Sequence, residues 1–184
     1  RPARAGPEPA QSGRSGGPRH PAAPEDVETA LTAARPWDVP VETRAAVLRR
    51  AADLYEEEYG AIFAVVAREA GKSLPDALGE LREACDFLRY YADGAAGLTQ
   101  PARGTFVCIS PWNFPLAIFT GQVSAALAAG HAVIAKPAEQ TPLIAALAVR
   151  LLHQAGVPET ALQLLPGDGP PVGAALTSDA RAAG

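Results

Sequence analysis

The second half of the chain alternates short, almost wholly apolar runs with longer segments whose apolar residues recur at helical spacing. The apolar runs are residues 105–110 (TFVCIS), 132–135 (AVIA) and 162–165 (LQLL), and the helical segments between them are 116–129 and 142–155. Strands that lack a polar face are covered by helices on both sides, which is typical of parallel sheets. The β-α-β-α-β-α order therefore predicts an α/β fold that contains half of a doubly wound, Rossmann-like parallel sheet.

The first half of the chain predicts helices. Residues 25–35, 40–70 and 74–95 each carry apolar side chains at helical spacing, and Gly71 is a natural end for the second segment. Residues 1–24 are rich in Pro, Gly and Arg and poor in large apolar side chains, so we expect a disordered tail there. The predicted organisation is a tail at 1–24, N-terminal helices at 25–100 and a partial dinucleotide-binding domain at 101–184.

The acidic balance of the chain argues against a general nucleic-acid binder. The net charge is −4 and the pI is about 5.4, whereas phosphate binding needs a positive surface. Residues 104–135 contain no Asp, Glu, Lys or Arg, but Pro111 and Pro115 interrupt them. The helical portion is shorter than the roughly 20 residues that a membrane span needs. We interpret this region as a buried strand followed by a buried helix.

Cysteine and histidine usage predicts neither a disulfide framework nor a metal site. Cys85 and Cys108 are the two cysteines, and both lie among apolar residues. We therefore expect Cys85 to fill the core and the protein to be in a reducing compartment, the cytoplasm. His20, His131 and His153 are scattered and lack the spacing of metal ligands.

Three turns follow the predicted strands, and polar residues of this half of the chain occur in them. They are residues 110–115 (SPWNFP), 136–142 (KPAEQTP) and 166–170 (PGDGP). Because an open parallel sheet binds ligands beyond the carboxyl ends of its strands, these turns are the candidate site. The GxGxxG fingerprint is missing, so phosphate binding by a first glycine loop is not predicted.

The residues alone leave two interpretations open for each polar group in these turns. Asn113 could stabilise an oxyanion with its amide, or it could be a turn asparagine that bonds to its own backbone. Lys136 and Glu139 could bind the hydroxyls of a ribose, with the carboxylate repelling a 2′-phosphate. They could equally be a solvated ion pair on the surface.

Several of these runs resemble the aldehyde dehydrogenase family. The closest similarity is to the glutamate-γ-semialdehyde (Δ1-pyrroline-5-carboxylate) dehydrogenase domain of bifunctional proline-utilisation proteins. The runs are FVCISPWNFPLAIFTGQVSAALAAG, AKPAEQTPLIAALAVRLLHQAGVP, LQLLPGDG and, upstream, EAGKSLPDALGELREACDFLRYYA. The resemblance covers about residues 24–179. It implies an enzyme of proline catabolism that uses NAD to oxidise a small aldehyde, L-glutamate γ-semialdehyde, to glutamate, and an oligomeric parent protein.

The resemblance also implies a role for each residue of the candidate site. Asn113 matches the donor that holds the oxyanion of the thiohemiacetal formed on a cysteine. Lys136 and Glu139 match the pair that binds the adenosine ribose of NAD, and the charge of Glu139 implies a preference for NAD over NADP. Ser110, Pro111 and Trp112 match the strand end beside the cofactor, Gly169 matches the glycine against the adenine, and Phe114 matches a residue near the aldehyde channel.

Some features of the family have no counterpart in this sequence. Neither cysteine matches the family's nucleophile, the general-base glutamate is unmatched, and His131 replaces the usual asparagine. The link at residues 94–103 is shorter than the subfamily's, which carries a hairpin used in oligomerisation. We therefore expect a truncated N-terminal copy that is inactive alone. The alternatives are a non-catalytic remnant and an aldehyde dehydrogenase of another substrate specificity.

Overall fold

The computed structural model of the protein describes residues 22–184. The first half consists of α1 (Pro24–Ala33), α2 (Val41–Glu57), α3 (Tyr59–Ala70) and α4 (Leu74–Gly94), followed by one 3-10 turn at Ala95–Gly97. The second half consists of β1 (Thr105–Ile109), α5 (Ala117–Ala128), β2 (Ala132–Lys136), α6 (Pro142–Ala155), β3 (Leu162–Leu164), a π-type turn at Gly169–Gly173 and α7 (Ala174–Ser178). The predicted α/β class, with helices first and half of a parallel sheet after them, is confirmed.

The three strands form one parallel sheet in the order β1-β2-β3. Thr105 pairs with Ala132, and Ala135 pairs with Leu164. On the other edge of β1, the N–H of Val107 donates to the carbonyl oxygen of Gly184 at 2.8 Å, and Thr105 forms a parallel bridge with Ala182. The chain therefore adds strands on one side of β1 and then crosses to its other side, which makes the carboxyl end of β1 a topological switch point.

Helices cover both faces of the sheet, which explains why its strands are mostly apolar. All five residues of β2 are buried. Val133 and Ala135 belong to the large core shared with α2, α4, α5 and α6, whereas Ile134 belongs to a smaller core shared with α1 and α7. Alternate side chains of a strand point to opposite faces, so β2 is apolar from Ala132 to Ala135, and its one charged residue, Lys136, stands at its end.

The segment predicted as one helical region over residues 40–70 is two helices. The backbone leaves the helical conformation at Glu58, where φ is −93° and ψ is 18°. Apolar spacing continues across this break, because Leu54 and Tyr55 before it and Ile62 after it are all buried. Periodicity alone therefore gave no sign of the junction.

The ends of the described chain bear on two other predictions. The predicted tail at 1–24 lies outside the described residues except for its last three, of which Ala22 donates its N–H to the carbonyl oxygen of Pro166 at 2.8 Å and Pro24 begins α1. Among residues 22–184, no helix is long and apolar enough to cross a membrane. No group of three His, Cys, Asp or Glu side chains in the same range could hold a metal ion.

Candidate functional site

Three loops at the carboxyl edge of the sheet enclose a pocket of about 430 Å³. They follow β1, β2 and β3, so the pocket lies at the edge where the sequence predicted a ligand site. Its lining consists of Ile109, Ser110, Pro111, Trp112, Lys136, Ala138, Glu139, Gln140, Gly169, Gly173 and Thr177. Six of the eight predicted site residues therefore share one cavity.

Lys136 is a buried cation at the floor of this pocket. It is the last residue of the central strand β2 and is 3% exposed. Its Nζ donates to the carbonyl oxygen of Pro137 at 3.1 Å and lies 3.8 Å from Oε1 of Glu139. An ammonium group carries three donors, and this hydrogen bond engages one of them. The other donors are available to a ligand in the pocket.

Glu139 connects the loop after β2 to the loop after β3. Its Oε1 accepts a hydrogen bond of 2.6 Å from the backbone N–H of Gly169. A side chain at Gly169 would begin 3.6 Å from this oxygen, and one at Gly173 would begin 3.6 Å from Cε of Lys136. The two glycines therefore leave the space beside both charged groups open. Since each carboxylate oxygen has two lone pairs, Glu139 can accept further hydrogen bonds.

The residues after β1 form the opposite wall of the pocket. Ser110 is buried, and its N–H donates to the carbonyl oxygen of Lys136 at 3.2 Å, which extends the β1–β2 ladder by one residue. Trp112 is 56% exposed and presents an aromatic surface at the pocket mouth. Pro111 lies between them and restricts the backbone of this turn.

Asn113 and Phe114 belong to the same loop but do not line the pocket. Asn113 is exposed and adjoins Trp112. The Phe114 ring is partly exposed, and Nζ of Lys72 lies 4.3 Å from its centroid. The structure therefore places both residues on the surface next to the pocket rather than inside it.

Two carboxylates that were not predicted from the sequence contact the ends of these loops, where α5 and α6 begin, from the helical half of the molecule. Glu80 on α4 accepts hydrogen bonds from the N–H groups of Leu116 and Ala117, and Glu69 on α3 accepts them from Leu143 and Ile144. Burial raises the pKa of Glu69, although these backbone hydrogen bonds act against that rise.

A sequence signal did exist for one of these carboxylates. Glu80 falls on the same face of α4 as Ala77, Leu81 and Ala84, which are all buried. A charged residue on an apolar stripe indicates a buried partner, because an unpaired charge in a core is costly.

Both cysteines are free and buried. Burial raises the pKa of the Cys85 thiol to about 12, and the nearby Glu56 carboxylate adds to the rise. Burial also raises the pKa of Cys108 to about 12. Cys85 donates to the carbonyl oxygen of Ala52 across the α2–α4 contact, in agreement with its predicted place in the core. Both thiols are therefore protonated at neutral pH, whereas the thiolate is the reactive form.

Comparison with known proteins identifies a matching family and close relatives. Residues 19–184 match the family described as "Aldehyde dehydrogenase family". Bifunctional protein PutA from Klebsiella aerogenes is 55% identical over 168 residues, which are 86% of this chain and 13% of that protein.

Solved structures of proteins with related names are also similar to this chain. A mutant of proline utilization A (PutA) from Bradyrhizobium japonicum superimposes with a TM-score of 0.84 and 48% identity, over 89% of this chain and 19% of that one. The 1-pyrroline-5-carboxylate dehydrogenase from Thermus, solved with bound NAD, has a TM-score of 0.82 and 35% identity, over 88% of this chain and 36% of that one. This chain thus spans a minor part of the length of each relative.

Proposed function

We propose that this chain, which belongs to the aldehyde dehydrogenase family, contributes to an NAD-dependent enzyme of proline catabolism. The proposed reaction is the oxidation of L-glutamate γ-semialdehyde to glutamate. The names of its relatives, PutA and 1-pyrroline-5-carboxylate dehydrogenase, support this substrate. The observation that carries the proposal is the pocket at the switch point, where Lys136, Glu139 and Gly169 meet at the carboxyl edge of a parallel sheet.

The chemistry of the pocket suits the adenosine ribose of NAD. Lys136 supplies donors and Glu139 supplies acceptors, which together match the hydroxyl groups of a ribose. Gly169 and Gly173 leave room beside them. The negative charge of Glu139 would repel a 2′-phosphate, so NAD is favoured over NADP. When bound, NAD supplies the hydride acceptor for the oxidation.

We assign Asn113 and Phe114 to the aldehyde side of the same loop. Asn113 is exposed next to the pocket wall, so its side-chain amide can donate to an oxyanion that forms there. Phe114 offers an aromatic surface for an approaching aldehyde. Because Cys85 and Cys108 are buried with raised pKa values, we propose that neither is the nucleophile and that residues 1–184 alone do not turn over.

Two further properties belong to the proposal. Both cysteines are free and buried, which supports a reducing compartment, the cytoplasm. The family resemblance supports an oligomeric enzyme, which light scattering on the full gene product would test.

The test of the proposed function is aldehyde oxidation by the full gene product. We expect NADH formation with glutamate γ-semialdehyde, at a higher kcat/KM than with benzaldehyde or acetaldehyde.

We also expect Glu139→Gln to lower the preference for NAD over NADP about tenfold, because the repelling charge is gone. Glu159→Gln, an exposed carboxylate on the surface, is the matched control. Equal rates with unrelated aldehydes would favour another substrate, and no oxidation of any aldehyde would favour a non-catalytic remnant.

A further inference from the structure

The two helices that follow the site loops begin without caps of their own. The N-cap residue of α5 is Leu116, which has no polar side chain, and the N-cap residue of α6 is Thr141. Thr141 makes no side-chain capping bond, and its buried hydroxyl has no hydrogen-bond partner within residues 22–184. The first N–H groups of a helix need acceptors, so both helices depend on groups from elsewhere in the chain.

Both helices receive a carboxylate from residues that flank the turn between α3 and α4, which consists of residues 71–73. Glu69, just before this turn, accepts from the N–H of Leu143 at 2.7 Å and of Ile144 at 2.9 Å. Glu80, on the second turn of α4, accepts from the N–H of Leu116 at 3.2 Å and of Ala117 at 2.9 Å. A negative charge at this end of a helix also interacts favourably with the helix dipole.

Lys72 links the same turn to the loop that carries Asn113. Its Nζ lies 2.9 Å from Oε1 of Glu80 and 4.3 Å from the ring centroid of Phe114. The Glu80 side chain is 1% exposed and that of Lys72 is 15% exposed. A carboxylate buried this deeply is stable only when it is paired and hydrogen-bonded. Here Oε2 accepts the two backbone hydrogen bonds, whereas Oε1 has the Lys72 ammonium beside it but makes no hydrogen bond within residues 22–184.

We propose that Glu80 and Glu69 are positioning residues, each of which fixes one loop of the pocket. Glu80 holds the loop at 110–116, which bears Asn113, and Glu69 holds the loop at 137–141, which bears Glu139. The inference rests on the proposed function for the roles of these two loops. It adds that the geometry of the site is set from the helical half of the molecule, by two carboxylates on α3 and α4 that lie outside the pocket lining.

The two carboxylates have separable effects, because they hold different loops. Loss of Glu80 leaves the N–H groups of Leu116 and Ala117 without acceptors and frees the Asn113 loop. A displacement of about 1 Å at a reacting group can cost about 100-fold in rate. Loss of Glu69 frees the Glu139 loop, which affects cofactor binding instead.

The experiment compares Glu80→Ala, Glu69→Ala and wild type in the full gene product. For Glu80→Ala we expect kcat with the aldehyde to fall by about 10- to 100-fold. We expect the Kd for NAD to stay within about threefold, because the start of the loop, at the pocket wall, is still held by the hydrogen bond from Ser110 to Lys136. For Glu69→Ala we expect the Kd for NAD to rise about tenfold, as for the loss of about one charged hydrogen bond, with kcat within about threefold. Glu83→Ala, an exposed carboxylate on the same helix as Glu80, should change neither.

A conservative variant and a second measurement separate positioning from loss of folding. Glu80→Gln keeps one acceptor oxygen, so we expect it to recover most of the kcat that Glu80→Ala loses. Hydrogen exchange should speed up at residues 116–117 in Glu80→Ala and at residues 143–144 in Glu69→Ala. In each variant, exchange at the other pair of residues should stay as in the wild type.

Failure of the positioning proposal and failure of the proposed function would give different results. Parallel losses of kcat and NAD affinity in both alanine variants, or exchange that speeds up at both helices together, would overturn the positioning proposal. A wild-type protein that oxidises no aldehyde would overturn the proposed function instead. In that case the exchange pattern and the Kd for NAD would still decide whether each carboxylate holds its own loop.

Discussion

Lys136 is buried at the end of β2, where its long stem passes beside Gly173 and its side chain lines the pocket. Lys136 is 3% exposed, and the one ion-pair partner that it has among residues 22–184, Glu139, is 3.8 Å away. Burial of a charge with so few partners costs free energy of folding. Such a cost at a single residue is expected where the charge serves a ligand rather than the fold.

Replacement of Lys136 by methionine tests whether the buried charge favours ligand binding and lowers the stability of the fold. Lys136→Met keeps the apolar stem and removes the charge, so we expect the affinity for NAD to fall about tenfold or more while the melting temperature stays equal or rises. Titration calorimetry and thermal unfolding of the full gene product would measure the two effects. Arg150→Met, at an exposed position on α6, should leave both unchanged. A large loss of stability in Lys136→Met would show that the charge supports the fold.

The buried thiols predict a loss of stability at high pH. Burial raises the pKa of Cys85 and of Cys108 to about 12, from about 9 for a thiol in water. A group with a raised pKa in the folded state contributes its full stabilisation below pH 9 and loses it as the pH rises towards 12. Within that window each thiol lowers the free energy of unfolding by up to about 1.4 kcal/mol per pH unit.

Urea unfolding at pH 7.5 and at pH 10 would measure this loss. The double variant Cys85→Ala, Cys108→Ala should show a flatter dependence on pH than the wild type. An identical slope in both proteins would mean that the thiols do not titrate with unfolding.

At the scale of elements, the spacing of apolar residues predicted most of the helices and strands. It failed where the backbone changes direction while the apolar spacing continues. α6 begins and ends at the predicted residues, because Pro142 and Gly156 mark its two ends. The break at Glu58 was missed, since buried residues continue on both sides of it. The last helix of the predicted β-α-β-α-β-α order starts as a π-type turn at Gly169–Gly173, and α7 follows it with five residues. A short turn of this kind has too few residues to show a period.

Gly130 fixes the connection between α5 and β2. Its φ is +84°, and a side chain there would begin 3.4 Å from the guanidinium carbon of Arg44. Arg44 in turn donates from Nε to the carbonyl oxygen of Ala128 at 3.0 Å, at the end of α5. The turn therefore requires both a left-handed backbone and the absence of a side chain.

We expect Gly130→Ala to destabilise the protein by about 1–2 kcal/mol, the usual cost of a left-handed conformation for a residue with a side chain. Chemical denaturation would measure the change. Gly60→Ala is the matched control, because Gly60 lies within α3 and a side chain there meets no atom within 4 Å. That substitution should be neutral or stabilising by about 0.5–1 kcal/mol. Equal effects at the two positions would contradict the prediction.

At the scale of the whole molecule, site residues that directly follow a strand could be predicted from the sequence. Residues on distant helices that hold the site loops could not. Lys136 and Glu139 were predicted from their positions at strand ends and Gly169 from the family resemblance, and the pocket contains all three. Their roles stay predictions, as does the role of Asn113. Glu69 and Glu80 were missed because their partners are far along the chain, and no local pattern specifies which helix end a carboxylate will reach.

The 184-residue chain itself provides a test at this scale. We expect purified residues 1–184 to form no NADH from glutamate γ-semialdehyde, because both of its thiols are buried and protonated at neutral pH. Absorbance at 340 nm would measure this, with the full gene product as the positive control. Turnover by the 184-residue chain that is lost in Cys108→Ala would contradict the expectation.

The bridge between Thr105 and Ala182 has a consequence for how the chain assembles during its synthesis. β1 and β2 leave the ribosome close together and can pair early, whereas the opposite margin of β1 waits for residues 182–184 to emerge. Until then its free N–H and C=O groups are a template for any other extended chain. Nascent molecules are therefore most vulnerable to mispairing in that interval, and a pause in translation before Ala182 should lower the yield of native protein.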